Sequence, residues 1–308
     1  MQEPEKEKEE KETENKLTVS DIRERILTGG PAAAVGVGDA LSARLAVGSG
    51  FNIAFLSLRC AALTLLGSPC RHHVTMTEVK RLVERINYAV GLFLVVEAGS
   101  GFGGEANACR TAREFERAGA DAIVFDDTCW PRENDDNDES EIVSAEDMRS
   151  RLGAAREGLR KDKTLLIART AAGEKGGDAR IIPRMQAYRE AGADLLGPGR
   201  ITAEKELIRL KNSVPAPLFG EAGSGPDFYE RNLKTEKLRG WQADDILPGS
   251  EDQNGAGRAF SGYDLIALSG LLLSARINAG EKLLEDLSSK LRKNFAGAGL
   301  VGEADKDA

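Results

Sequence analysis

Cysteine, histidine and basic charge are all in short supply in this chain, and each shortage narrows what the protein can be. Four cysteines in 308 residues, none of them in a Cys-x-x-Cys pair, are too few for a disulfide scaffold and wrongly spaced for zinc. Reduced thiols in a cytoplasmic setting are the expectation. The two histidines, His72 and His73, are adjacent, so they face different ways and read as loop residues rather than as an acid–base pair. No apolar run reaches the ~18 residues a membrane span needs; the longest lies around Leu265 to Ala275. Basic residues number 42 against 50 acidic ones, a net charge of −8, and the pI is near 5.2. Nothing electrostatic therefore points to DNA, RNA or an anionic membrane as a partner, while a small anionic substrate remains open because local charge decides it. The opening stretch, almost entirely Glu and Lys, does not read as a signal peptide. Residues 1–16 lack apolar periodicity and are expected to form a disordered charged tail.

From Leu17 onward the hydrophobic 41% of the chain is arranged in short β-prone runs that alternate with helix-length segments. Strands are expected at Ala32–Val37, Asn52–Leu58, Phe93–Glu97, Ala122–Phe125, Leu165–Ala168, Asp194–Leu196, from Pro217 to Phe219, and at Asp264–Leu268. Asp39, Thr77 and Ser144 are the candidate caps of three intervening helices, and a long helix is expected to run to about Asn294. Eight strand–helix units of even length predict a (β/α)8 barrel over residues 17–296 with a long C-terminal helix. The alternative is an open doubly wound sheet, disfavoured because no Gly-x-Gly-x-x-Gly follows the first strand. Residues 241–260 read as an insertion before the eighth strand and 297–308 as a flexible C-terminus.

Reacting groups in such barrels gather at the carboxyl ends of the strands. Here those ends carry Ser57, Glu97, the pair Asp126 and Asp127, and Arg169. Carboxylates from neighbouring strands can hold Mg²⁺, and a guanidinium beside them can clamp a carboxylate or phosphonate. The same residues also support a plainer arrangement, in which Arg169 ties the acids of the third and fourth strands together in structural ion pairs.

Several stretches carry a family resemblance. They are Gly38-Asp39-Ala40-Leu41-Ser42-Ala43-Arg44-Leu45, Ser100-Gly101-Phe102-Gly103, Ile167-Ala168-Arg169-Thr170, Tyr188-Arg189-Glu190-Ala191-Gly192-Ala193-Asp194 and Gly262-Tyr263-Asp264-Leu265. In order and spacing the chain resembles the isocitrate lyase and phosphoenolpyruvate mutase superfamily from about Ala34 to Leu287. That resemblance implies a Mg²⁺-assisted enzyme that cleaves or rearranges a C–C or C–P bond in a small 2-oxo or 2-hydroxy acid. It implies Glu97, Asp126 and Asp127 near the metal, Arg169 on the substrate's anionic group, and Ser57 and Leu58 at the position whose backbone N–H groups receive the substrate carboxylate. The family's Asp-Ala-Asp-Thr-Gly-Tyr-Gly stands here as Glu97-Ala98-Gly99-Ser100-Gly101-Phe102-Gly103, with glycine for the second acid. Cys70 replaces an Asp in Gly67-Ser68-Pro69-Cys70. After the fourth strand, Pro131-Arg132-Glu133-Asn134 resembles the Pro-Lys-x-Asn of the mutase and phosphonopyruvate hydrolase branch, which implies a catalytic role for Asn134. No Cys of the lyase branch's Lys-x-Cys-Gly-His is present in that motif. Exchange of the C-terminal helix between subunits is also implied, hence a homo-oligomer. A reading from another class is a catalytically silent barrel that serves as a binding or assembly subunit.

Overall fold

The computed structural model describes residues 17–130, 142–160, 163–172, 178–199, 204–222 and 263–294. The expected tail at 1–16, the insertion at 241–260, the C-terminal stretch at 297–308 and Asn134 lie outside these residues. In chain order the elements are α1 (Val19–Leu27), β1 (Ala32–Gly36), α2 (Ala40–Gly48), β2 (Ile53–Leu56), α3 (Leu58–Leu66), a 3₁₀ turn at Arg71–His73 and α4 (Met76–Ala89). They continue with β3 (Phe93–Gly99), α5 (Glu105–Ala118), β4 (Ala122–Asp126), α6 (Ala145–Gly158), β5 (Leu165–Arg169), α7 (Asp178–Glu190), β6 (Leu195–Gly197), α8 (Glu204–Ser213), β7 (Phe219–Ala222), β8 (Leu265–Leu268) and α9 (Leu271–Asn294).

The eight strands form one parallel sheet in the order β6-β5-β4-β3-β2-β1-β8-β7. A parallel bridge between Leu196 and Leu218 brings the two ends of that order together, with Leu196 N–H donating to Pro217 C=O at 3.0 Å. This is the (β/α)8 barrel expected from the sequence. Successive side chains of a strand point to opposite faces, and both faces are buried here, which is why the strands read as continuous apolar runs. Ala34, Phe55, Phe93, Val95, Ala122, Val124, Leu165, Ile167, Leu195, Phe219, Leu265 and Ala267 fill the interior. The alternate residues, among them Leu94, Val96, Ile123, Phe125, Leu166 and Ala168, pack against the helices. Phe55 and Phe219 meet edge to face across the interior with ring centroids 5.9 Å apart. Each such ring contributes roughly 2–3 kcal/mol by burial. Ile22 and Ile26 of α1 join the interior cluster beside the strand starts and close that end.

Local chemistry explains where the sequence reading moved. The second strand stops at Leu56 and a helix begins at Leu58, because Ser57 caps it by accepting from Cys60 N–H at 3.0 Å. Leu and Ala then favour helix over the strand that their apolarity had implied. The cap of α4 is Thr75 rather than Thr77. Its hydroxyl accepts from Glu78 N–H at 3.3 Å while the Glu78 carboxylate accepts from Thr75 N–H at 2.8 Å, a reciprocal cap worth about 1 kcal/mol. No described helix is long and apolar enough to cross a membrane.

Candidate active site

Strand parity continues past the last apolar residue. Two positions beyond Phe55, Val95, Val124, Ile167, Phe219 and Ala267 stand Ser57, Glu97, Asp126, Arg169, Glu221 and Ser269, so the interior face ends in a polar layer at the carboxyl ends of the strands. Register reinforces this, since Asp126 lies directly beside Arg169 across β4 and β5.

Arg169 is the hub of that layer. One terminal nitrogen, Nη2, donates to Glu97 Oε1 and, at 3.0 Å, to Asp126 Oδ2. Its Nη1 donates to Glu221 Oε2, and the other Glu221 oxygen accepts from Ser269 Oγ at 2.6 Å. The guanidinium side chain is 15% exposed, and those of Glu97 and Asp126 are 3% exposed, so the ion pairs are screened little by water. Gly197, beside Arg169 in register, leaves room for the stem; a Cβ there would lie 3.1 Å from Arg169 Cβ. A second guanidinium comes from the 3₁₀ turn. Arg71 Nη1 stands 3.6 Å from Glu97 Oε1 and 4.0 Å from Asp126 Oδ2, the same two oxygens that Arg169 Nη2 contacts.

The remaining residues singled out in the sequence are engaged elsewhere. Leu58 N–H donates to Glu97 Oε2 at 2.8 Å, and the Ser57 hydroxyl is spent on its helix cap. Gly99 has φ +55°, and a Cβ there would approach Leu58 Cδ1 to 3.0 Å, so Leu58 fills the space that a side chain at 99 would need. Asp127 has the opposite parity to Asp126 and turns to the helical layer. Its carboxylate accepts from Thr170 Oγ1 at 2.5 Å, Ala171 N–H at 2.9 Å, Arg184 Nη1 at 3.0 Å and Tyr188 Oη at 2.7 Å. Burial and the adjacent Asp127 push the Tyr188 phenol far up, so it stays a hydrogen-bond donor. The structure thus brings Glu97, Asp126 and Arg169 together and leaves Asp127 in a separate network.

Two groups escaped the sequence reading. Glu221 carried a detectable signal, since it follows Phe219 at the interior parity. Arg71 carried none, because it belongs to a turn with no repeating register. The 3₁₀ turn after α3 and the chain after β3 and β4 meet through rings. Trp130 packs on His72 with centroids 5.5 Å apart and on Phe102 at 5.7 Å. Phe102 holds φ +61°, a left-handed backbone that a non-glycine residue adopts only where its surroundings impose it.

Charge in the layer makes stability depend on pH. Burial alone would raise the Asp126 carboxyl, but the Arg169 and Arg71 guanidiniums and the Thr128 hydroxyl outweigh it and hold it at about 2. An unfolded Asp titrates near ~4, so this group stabilises the fold above pH ~4, and its ~2–3 kcal/mol disappears as pH falls through its folded value. Glu221 is shifted the other way, raised by burial and by Glu97 against the pull of Arg169. Its contribution is therefore complete at low pH and declines as pH rises through its folded value. In urea unfolding, wild type is expected to lose about 2 kcal/mol more than Asp126→Asn between pH ~4 and pH ~2. Parallel declines would assign the acid sensitivity to other carboxylates.

An eight-stranded parallel barrel with an ionic layer at the carboxyl ends of its strands defines a TIM-type barrel protein whose charged groups sit on the face where such barrels do their chemistry. A family model described as phosphoenolpyruvate phosphomutase matches residues 24–250, and the chain belongs to that family, within the isocitrate lyase and phosphoenolpyruvate mutase superfamily. It is 31% identical over 198 residues to the 2,3-dimethylmalate lyase of Eubacterium barkeri, covering 64% of this chain and 68% of that protein. It is 36% identical over 199 residues to the 2-methylisocitrate lyase of Aeropyrum pernix, covering 64% of this chain and 63% of that protein, so it spans less than two thirds of the latter's length. A solved phosphonopyruvate hydrolase in complex with oxalate and Mg²⁺ shares the fold with a TM-score of 0.67 at 21% identity, covering 93% of each chain.

Proposed function

We propose that this chain is an enzyme that breaks or rearranges a C–C or C–P bond beside the carboxylate of a small 2-oxo or 2-hydroxy acid. The observation that carries the reading is Arg169, a largely buried guanidinium at the barrel mouth whose planar N–H groups suit a carboxylate. Cleavage next to a carboxylate leaves the bonding electrons on an enolate oxygen, which needs fixed positive charge beside it. Arg169 anchors the substrate's acid group, Asn134 serves as a second catalytic group, and Ser57 and Leu58 border the substrate.

The magnesium ion that the resemblance implies would be held by Glu97, Asp126 and Asp127. The residues present do not fit it. Glu97 and Asp126 converge on guanidinium nitrogens, Glu97 gives its other oxygen to Leu58 N–H, and Asp127 faces Arg184 and Tyr188. Among the described residues no three His, Cys, Asp or Glu side chains group as a metal site. No step of the proposed reaction is routed through a metal.

The rival reading, a silent binding or assembly barrel, is favoured by the same mutual pairing of acids and guanidinium. Turnover decides between them. Oxaloacetate, 2-methylisocitrate, 2,3-dimethylmalate and phosphonopyruvate, assayed with and without Mg²⁺, are expected to include at least one substrate. Its kcat/KM is expected to fall on the order of a hundredfold or more in Arg169→Lys, which keeps the charge and loses the planar fork. No turnover of any of them would leave the silent barrel. Assembly through α9 is proposed alongside, supported by Leu283, Leu284 and Leu287, which stand exposed on that helix. Sedimentation of the same preparations at the monomer mass would remove it.

A further inference from the structure

We infer that Arg71 takes the place of a divalent cation on the Glu97–Asp126 pair, so that this chain binds its carboxylate ligand without metal. The inference rests on the reading of Arg169 as the ligand's anchor and extends it to a residue on a different element.

Two buried carboxylates on neighbouring strand ends, 3% exposed each, cannot stand close together without a counter-charge. Arg169 supplies one through its contacts with both. A substrate carboxylate that engages Arg169 draws it from Glu97 and Asp126 and would leave that pair uncompensated. Arg71 Nη1 is already poised at 3.6 and 4.0 Å from the same two oxygens, Glu97 Oε1 and Asp126 Oδ2, close enough for a small shift to restore hydrogen-bond contact. Its approach is built into the chain. Gly67 ends α3 in the left-handed conformation at φ +66°, Pro69 follows, and the 3₁₀ turn at Arg71–His73 turns the side chain onto the acids.

The substitutions nearby are consistent with one cation having replaced another. Gly99 and Cys70 stand where the resemblance has two further acids, so less negative charge is present to attract a divalent ion. A guanidinium fixed to the chain neutralises the remaining acids without recruiting an ion from solution. Arg71 is thus a positioning residue, acting on the substrate by keeping Glu97 and Asp126 paired while Arg169 is engaged.

The test uses the full chain and calorimetry. Mg²⁺ alone, titrated to millimolar concentration, is expected to give no binding heat with wild type or with Arg71→Lys, and measurable binding with Arg71→Gln. Pyruvate or oxalate is expected to bind wild type with the same Kd in EDTA as in Mg²⁺, and on the order of tenfold more weakly to Arg71→Gln in EDTA, a loss that Mg²⁺ restores. Binding of Mg²⁺ to wild type, or a requirement of the carboxylate probe for Mg²⁺, overturns the inference. So does the absence of Mg²⁺ binding by a folded Arg71→Gln, since Arg71 would then not be what fills the place. Should that variant fail to fold, the wild-type titrations decide alone. If neither carboxylate binds in either buffer, the enzyme reading fails, and the Mg²⁺ titrations still decide the role of Arg71.

Discussion

Arg169→Ala is expected to lose about 3–5 kcal/mol of unfolding free energy at neutral pH, measured by urea denaturation. The side chain meets Glu97, Asp126 and Glu221 from three different strands, and removing it leaves those acids in a largely buried layer. Arg71 compensates Glu97 and Asp126 in part and acts on Glu221 as a weaker favourable charge. Lysine at 169 should lose less, roughly 1–3 kcal/mol, because an ammonium keeps the charge but cannot serve the Glu97–Asp126 side and the Glu221 side with one planar group. Pairing the loss with Glu221→Met tests the cause, since taking away an acid together with its cation removes an uncompensated charge. The double variant Arg169→Met/Glu221→Met should therefore be more stable than Arg169→Met alone. A loss below about 1 kcal/mol in Arg169→Ala would mean that the guanidinium contributes little to the fold and that its contacts are held for a ligand.

The second large effect is expected at Asp127→Ala, again about 3–5 kcal/mol, with the melting temperature lowered accordingly. Asp127 is fully buried and accepts hydrogen bonds from β5's end and from two side chains of α7. Its loss leaves the largely buried Arg184 guanidinium without its carboxylate and the Tyr188 phenol without its acceptor, and each unmade bond carries its own desolvation cost. The chain after β4 is held by the same group of residues: Val143 N–H donates to Asp127 C=O at 2.8 Å and Arg184 Nη1 to Val143 C=O at 2.9 Å. Tyr188→Phe removes one donor and should cost only about 1–2 kcal/mol. If Asp127→Ala were as mild as Tyr188→Phe, the network would be a set of separate bonds rather than one charge-centred unit.

Much of the barrel is legible in the residues because its signals are local. Val95 and Glu97, Val124 and Asp126, or Ile167 and Arg169 differ by two positions, and a strand's period of two assigns each pair to one face. The same rule distinguishes Asp126 from Asp127, which adjacency in a motif had grouped together. Capping is equally local, and Thr75 could have been preferred over Thr77 from Glu78 three residues on. The helix at Leu58–Leu66 was harder, since Leu and Ala continue an apolar run whether they extend a strand or start a helix, and only the Ser57 cap separates the cases.

By itself, the sequence determined the eight-stranded barrel and four of the residues at which its interior turns from apolar to polar, Ser57, Glu97, Asp126 and Arg169. Only the tertiary structure decided that Glu221 joins Arg169 from β7, that Arg71 reaches Glu97 and Asp126 from a turn, and that Leu58 N–H is given to Glu97. The reason is physical. Which face a strand residue occupies follows from its neighbours along the chain, whereas the partner of a buried charge is chosen through space, among groups that barrel closure brings together from distant segments.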